Sequence, residues 1–314
     1  MRYEYHKSVL VRQVLSALKV ETAERVIDAT VGDAGLTLAI LSHMPAHGKV
    51  LCIDRDHQAI ERATQRLVSF EKRFTMVEAN FKEMEIIAAR HGLSRVDGIV
   101  ADLGLSRLMI SDPMKGFMYT QDGPLSMKMG DDALVDAEKI VNEFSEREIA
   151  NIIYQYGEER ASRRIAKAIA RYRRAKRITS TAELADVIRS VVRSEAAIKT
   201  LARSFQGLRI FINQELENLQ LFLPQAVNLL RTGGRLAVLT YNSLEDRLVK
   251  DFIKTESSGC ICPPDLPVCA CNRRPRLRPV GRYTAPDADE IKSNPNARSA
   301  KMRVAEKIEI RDGE

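Results

Sequence analysis

Apolar and polar positions follow two regimes along this chain. From Arg25 to Asp102, short apolar runs ending in polar residues alternate with stretches of helical spacing. Arg25-Val-Ile-Asp28, Lys49-Val-Leu-Cys-Ile-Asp54, Phe74-Thr-Met-Val-Glu-Ala79 and Val96-Asp-Gly-Ile-Val-Ala-Asp102 read as strands. Leu36, Leu38, Ile40 and Leu41, then Ala59 to Phe70 and a segment through Ala89, read as helices. The order βαβαβαβ predicts an α/β fold doubly wound on a parallel sheet, with ligands bound beyond the carboxyl ends of the strands. After Asp102-Leu-Gly-Leu-Ser106 the strand signals stop. Residues 107–205 read as loop followed by helices over Ile149–Tyr156, Glu158–Arg174 and Thr181–Arg193, and sheet signals resume at Gly234-Arg-Leu-Ala-Val-Leu-Thr-Tyr241. The expected organisation is a sheet domain in two parts, 1–106 and 206–314, with a helical domain over 107–205 inserted between two strands.

The first strand breaks into Gly32-Asp-Ala-Gly35 before the helical pattern begins. A residue without Cβ adopts positive φ readily and lets the backbone approach a ligand, while the start of a helix favours polar or anionic groups. The second strand ends in Asp54, about twenty residues further on, where an acid in such folds accepts hydrogen bonds from both ribose hydroxyls. Together they point to an adenosine-bearing cofactor, although the turn by itself also serves as a plain connector. It is one glycine short of a dinucleotide fingerprint. Asp28, Asp33, Asp54 and Asp102 all fall at or near strand ends, and four carboxylates suit a cationic sulfonium better than a pyrophosphate. That favours S-adenosylmethionine. Phe81 falls on the same rim, placed either to stack on an adenine or to plug the core. Asp102 stands where an acceptor for an amine N–H belongs. Asn242 and Ser243, at the end of the next strand, would hold a base by hydrogen bonds or form an ordinary strand-to-helix turn.

A chain of 314 residues with 45% hydrophobic content can bury a sizeable core. The 49 Lys+Arg against 42 Asp+Glu give +7, which is compatible with a nucleic-acid partner without establishing one. The charge is not spread evenly. Arg160, Arg163, Arg164, Lys167, Arg171, Arg173, Arg174, Lys176 and Arg177 have no acid between them, and Ile165, Ala168 and Ile169 supply an apolar stripe. Such a face favours phosphate over the ordinary role of a solvated helix surface, so RNA or DNA binding is expected. Met1 to Ser8 lacks an apolar signal core and no stretch approaches bilayer length, which predicts a cytoplasmic protein without membrane contact.

The cysteines divide into two kinds. Cys52 lies in an apolar strand and reads as a core thiol, whereas Cys260, Cys262, Cys269 and Cys271 form two Cys-x-Cys pairs around the turn Pro263-Pro-Asp-Leu-Pro267. Four close thiols in a reducing compartment suit tetrahedral zinc better than disulfides, with no metal as the standing alternative.

The ordered segments of the chain resemble a known family from near its first residue to near its last. They include His6-Lys-Ser-Val-Leu10, Asp28-Ala-Thr-Val-Gly32, Ile53-Asp-Arg-Asp56, Asp102-Leu-Gly104, Lys115-Gly-Phe117, Asp122-Gly-Pro-Leu125, Tyr156-Gly-Glu-Glu-Arg160, Ser204-Phe-Gln206, Asn213-Gln-Glu-Leu216, Ser243-Leu-Glu-Asp-Arg247 and Asn294-Pro-Asn-Ala-Arg-Ser-Ala-Lys301. In them the chain resembles the RsmH or MraW family, the 16S ribosomal RNA cytosine-N4 methyltransferases. The resemblance implies a Rossmann-like class I methyltransferase sheet with an inserted helical RNA-recognition domain. It also implies S-adenosylmethionine as methyl donor and, as target, a cytosine in the decoding centre of 16S rRNA within the small ribosomal subunit. A homodimer stays open.

Carried over position by position, the family's Gly-x-Gly-Gly-His loop becomes Gly32, Ala34, Gly35 and Leu36, while Asp54, Phe81 and Asp102 match its other cofactor contacts. Met109 stands where the family has Gln or His, and Tyr241-Asn-Ser replaces its Phe-His-Ser. The departures gather at the proposed rim. An active methyltransferase is therefore expected, with a non-catalytic RNA- or ribosome-binding relative carrying a degraded cofactor site as the alternative. A nicotinamide-dependent oxidoreductase ranks third for want of a complete glycine pattern.

Overall fold

The computed structural model describes residues 8–192, 194–263, 269–271 and 273–309. His6 and Lys7 of the first matched segment, Arg193 at the end of an expected helix, and 264–267 of the cysteine turn lie outside the described residues. The chain divides into two compact units, one of 1–104 with 216–314 and one of 105–215.

The first unit is built on seven strands: β1 (Arg25–Asp28), β2 (Lys49–Asp54), β3 (Phe74–Glu78), β4 (Val96–Asp102), β5 (Leu230–Thr240), β6 (Leu277–Pro279) and β7 (Lys301–Lys307). Their order is β3-β2-β1-β4-β5-β7-β6. β1 to β5 pair in parallel, whereas β7 runs antiparallel to β5 and β6 antiparallel to β7. The expected parallel sheet is thus present in β1 to β5 and is extended at one edge by two antiparallel strands.

Successive strand residues point to opposite faces, and each face finds its own helices. Val26, Val50, Cys52, Val100 and Ala237 pack with Val14, Leu36, Ile40, Leu41 and Ala63, from the helices Val11–Ala17, Gly35–His43 and His57–Arg66. Ile27, Leu51, Ile53, Ile99 and Val238 pack with Met84, Phe222, Val227 and Val249, from the helices Met84–Arg90, Glu215–Leu229 and Ser243–Glu256. Two-sided burial explains why β1, β2 and β4 read as continuous apolar runs. Their register places Asp28, Asp54 and Asp102 at the carboxyl ends of adjacent strands.

The second unit is helical. Ala137–Glu143, Glu146–Gln155, Ser162–Tyr172, Thr181–Arg189 and Ser194–Asn213 enclose Ile140, Ile149, Ile153, Ile165, Ile169, Leu184, Ile188, Phe205 and Leu208. Ser145 and Glu148 form a reciprocal capping box at the start of the second of these. Gly157 and Gly207 allow two segments to touch: a Cβ on Gly157 would lie 2.3 Å from the Arg203 carbonyl, and one on Gly207 would lie 2.9 Å from the Gly157 amide. Ser194–Asn213 is a single helix, so the boundary expected at 205/206 falls instead at 215/216. The helix expected over Glu158–Arg174 is shorter, since Glu158 is left-handed at φ 51° and regular structure begins only at Ser162. Among the described residues, no helix is long and apolar enough to cross a membrane.

Candidate active site at the carboxyl rim of the sheet

The chain leaves β1 through a loop with two left-handed residues, Gly32 at φ 49° and Ala34 at φ 57°, and enters the helix Gly35–His43. A Cβ placed on Gly32 would meet nothing within 4 Å, so open space adjoins this backbone. The loop is tied to the second strand end, because the Gly32 amide donates to Asp54 Oδ2 at 2.8 Å. Asp54 Oδ1 accepts from the Asp56 amide at 3.0 Å, and the Arg55 amide also donates to this carboxylate, which fixes its orientation. Asp28 lies beneath, 1% exposed, taking the Thr37 hydroxyl at 2.5 Å and the Thr30 amide at 3.2 Å. The Thr30 hydroxyl accepts from the Asp102 amide at 2.7 Å, joining β1 to the end of β4.

Asp102 is held from the other side. Tyr241, at the end of β5, donates its hydroxyl to Asp102 Oδ1 at 2.7 Å, and the Tyr241 amide donates to buried Glu245 at 2.9 Å. Burial is the main cause that pushes the Asp28 carboxyl up to about 6 and Asp102 to about 7, with negative neighbours adding to it and hydrogen bonds opposing it. Burial likewise raises Asp54. No Lys or Arg pairs with any of these three carboxyls among the described residues. The rim therefore gathers acidic groups with no paired cation, the electrostatic complement of a cation. Asp33, the fourth acid expected here, does not belong to it: its side chain pairs with Arg62 at 3.1 Å, and its carbonyl accepts from Arg66 at 2.7 Å.

Of the other candidates, Gly32, Ala34, Gly35, Asp54, Phe81 and Asp102 all belong to the sheet unit. Ala34 is fully buried, and Leu36 turns its side chain, 4% exposed, into the apolar cluster with Val31 and Ile40. Leu36 therefore offers a ligand its place in the first helical turn rather than its side chain. Phe81 is half-buried, with one edge set against Phe222 at 5.2 Å between ring centroids. Asn242 caps the helix Ser243–Glu256 by accepting from the Leu244 and Glu245 amides at 3.1 and 3.0 Å. Its Nδ2 is buried without a partner among the described residues, a donor held ready for an acceptor. Ser243 is exposed at the first turn. Met109 belongs to the helical unit, where its side chain, 5% exposed, packs in the apolar core. Its side chain is thus a core group, in contrast to the polar residue that stands there in the family.

Sequence reasoning missed Thr30, Thr37 and Tyr241 as the groups that orient the acids. The one available signal was Tyr241, a hydroxyl in place of the family's Phe, at the end of the strand beside Asp102. Two other clusters lie outside the rim. The Sγ atoms of Cys260, Cys262, Cys269 and Cys271 lie within 4.8 Å of one another. In the helical unit, Arg164, Lys167, Arg171 and Arg174 line a cavity of about 420 Å³ together with Glu146 and Val191. The basic face is smaller than expected, because Arg177 pairs with Glu138 and Glu143, Lys176 with Glu183, and Arg173 with the Val141 carbonyl.

A family model described as the MraW methylase family matches residues 3–308. The chain belongs to the MraW methylase family. Three relatives, each named ribosomal RNA small subunit methyltransferase H, align over nearly their whole lengths. That of Heliobacterium modesticaldum is 41% identical over 97% of this chain and 99% of its own. Those of Carboxydothermus hydrogenoformans and Thermomicrobium roseum are 41% and 43% identical, over 96% of this chain and 98% and 94% of theirs. In this MraW-family chain, Asp28, Asp54 and Asp102 stand together at the sheet rim, while Ala34, Leu36 and Asn242 depart from the family residues.

Proposed function

We propose that the chain methylates the exocyclic N4 of a cytosine in the decoding centre of 16S rRNA, presented by the small ribosomal subunit in the cytoplasm. S-adenosylmethionine supplies the electrophilic methyl group from its positively charged sulfur. The observation that carries the reading is the cluster of Asp28, Asp54 and Asp102, raised by burial and unpaired with any cation, beside the open space at Gly32. The names of the relatives supply the ribosomal substrate.

In this reading Asp54 holds the ribose hydroxyls, the start of the helix Gly35–His43 receives the donor's carboxylate, and Phe81 lies against the adenine. Asp102 Oδ2 accepts an N–H of the cytosine amine, since Oδ1 is taken by Tyr241. Drawing on that N–H opposes delocalisation of the nitrogen lone pair into the ring. The new N4–methyl bond forms as the sulfur–methyl bond breaks, and the nitrogen then sheds a proton. A carboxylate whose pKa stands at about 7 is matched to accept it. The buried Asn242 Nδ2 donates to the cytosine ring acceptors, and Ser243 borders the base. Most of the rate enhancement comes from holding nitrogen, methyl and sulfur in line. The target base must be unstacked to enter, and Arg164, Lys167, Arg171 and Arg174 of the helical unit bind the RNA backbone.

The test is mass-spectrometric mapping of methylcytosine in 16S rRNA from cells with and without this chain, followed by restoration with purified protein and small subunits. Loss and recovery of N4-methylation at one cytosine is expected. Unchanged modification, with protein that binds S-adenosylmethionine, would reject this target.

A further inference from the structure

We propose that Cys260, Cys262, Cys269 and Cys271 hold one structural zinc ion in a closed four-thiolate site, which serves as the core of the segment between the helix Ser243–Glu256 and β6. The four sulfurs already lie within 4.8 Å of one another, close enough to share one ion. Cys269 and Cys271 Sγ are 3.5 Å apart and Cys271 and Cys260 Sγ 3.9 Å apart, against the edge of about 3.8 Å that follows from zinc–sulfur bonds near 2.3 Å. No sulfur pair is bonded, since all five cysteines are free thiols.

Packing among the described residues does not account for this convergence. Between Glu256 and Leu277 no described residue is buried, and Ile261, the largest apolar side chain described there, is 54% exposed. Four thiols that converge with no buried apolar side chain among the described residues of the segment need another reason to meet, and a metal ion supplies it. The surrounding backbone also has the polarity of a thiolate site. The Cys262 amide donates to Cys260 Sγ at 3.4 Å, and the amides of Ile261 and Arg273 point at Cys271 Sγ. Such N–H groups stabilise and orient metal-bound sulfur. Beyond the cysteines the chain is clamped, with Glu256 taking Arg273 and Arg276. A metal cross-link between the Cys-x-Cys arms completes the closure of this loop. Because all four ligands come from the protein, no coordination position is left for a substrate, and the site stands apart from methyl transfer.

The experiment is metal analysis of the full chain, purified anaerobically in reducing buffer without a metal-affinity step. About one zinc per chain is expected by plasma mass spectrometry, in keeping with a closed single-ion site. Zinc-free protein titrated with Co²⁺ gains sulfur-to-cobalt charge-transfer absorption, which Zn²⁺ then abolishes. The double variant Cys269→Ser, Cys271→Ser loses both signals. Should that variant fail to fold, the cobalt titration of the unaltered chain decides alone. Metal-free reduced protein without the absorption, iron in place of zinc, or two disulfides by thiol counting would overturn the proposal.

Discussion

Tyr241 donates one hydrogen bond to the Asp102 carboxyl, and that bond opposes the rise that burial causes. Asp102 titrates at about 7, and the Tyr241 hydroxyl is the cause that keeps it from rising further. If ionised Asp102 accepts the amine N–H, kcat/KM for S-adenosylmethionine rises with pH through about 7, because this ratio reports the free enzyme. Tyr241→Phe removes the opposing bond and moves that limb upward by about one pH unit, so the variant is several-fold slower at neutrality and recovers in alkali. A pH–rate profile with an unmoved midpoint would take Asp102 out of the reaction. The loop after β1 carries backbone strain at Ala34. A left-handed alanine costs on the order of 1 kcal/mol, yet the buried Ala34 methyl returns about 0.8 kcal/mol and glycine would lose more chain entropy. Ala34→Gly should therefore change unfolding free energy by less than about 1 kcal/mol, which argues that Ala34 is an accommodated substitution and not a defect. At Gly32 no such compensation exists, since its Cβ would meet nothing within 4 Å. Gly32→Ala should cost about 1–2 kcal/mol in urea melts and weaken S-adenosylmethionine binding in calorimetry, because the methyl would enter the open space.

Among the elements, the β5, β6 and β7 edge depends on one charged residue. Glu306 on β7 stands opposite Arg235 on β5 and Arg278 on β6, and it takes both, at 2.9 and 2.6 Å, together with Lys19 at 3.3 Å. These partners overcome the cost of burial and hold the Glu306 carboxyl down at about 2. A depressed carboxyl contributes stability that is complete above its unfolded value of about 4.5 and is lost as pH falls through about 2. Glu306→Gln leaves three cations uncompensated and should cost about 2 kcal/mol at pH 7, below the full cost of a broken buried pair because Arg278 and Lys19 are largely exposed. Urea melts should show the gap to the unaltered chain narrowing steadily below pH 4. The same residue shows what the sequence could reveal. β2 and β4 were legible to their last residues because both sheet faces are apolar and the runs end in charge. β7, Lys-Met-Arg-Val-Ala-Glu-Lys, was missed because its charges make sense only beside Arg235 and Arg278, which are distant in sequence. Asp33 reads as a rim acid for the same reason, as its partner Arg62 lies a helix away. Position along a strand was readable, but partnership between separated segments was not.

For the whole molecule, the question is how a net charge of +7 becomes a field directed at RNA. Several basic side chains are already paired with acids. Arg177 and Lys176 meet Glu138, Glu143 and Glu183, while Arg235, Arg278 and Lys19 meet Glu306. The acids of the sheet rim, in contrast, find no cation among the described residues. Two local concentrations of charge remain, unpaired acid where a cationic donor is expected and exposed base at Arg164, Lys167, Arg171 and Arg174 of the helical unit. The second is measurable, because each phosphate contact displaces condensed counterions and adds about 0.7–0.9 to the slope of log affinity against log salt. If all four side chains contact phosphate, replacing them by alanine should reduce that slope by about 3 for binding to 16S rRNA or small subunits. Affinity at low salt should fall far more than affinity at high salt. Since these side chains are exposed, the melting temperature should hold, separating lost contacts from lost fold. An unchanged slope would mean that these arginines form an ordinary solvated face, and the RNA contacts would then have to be sought among the other exposed bases of the chain.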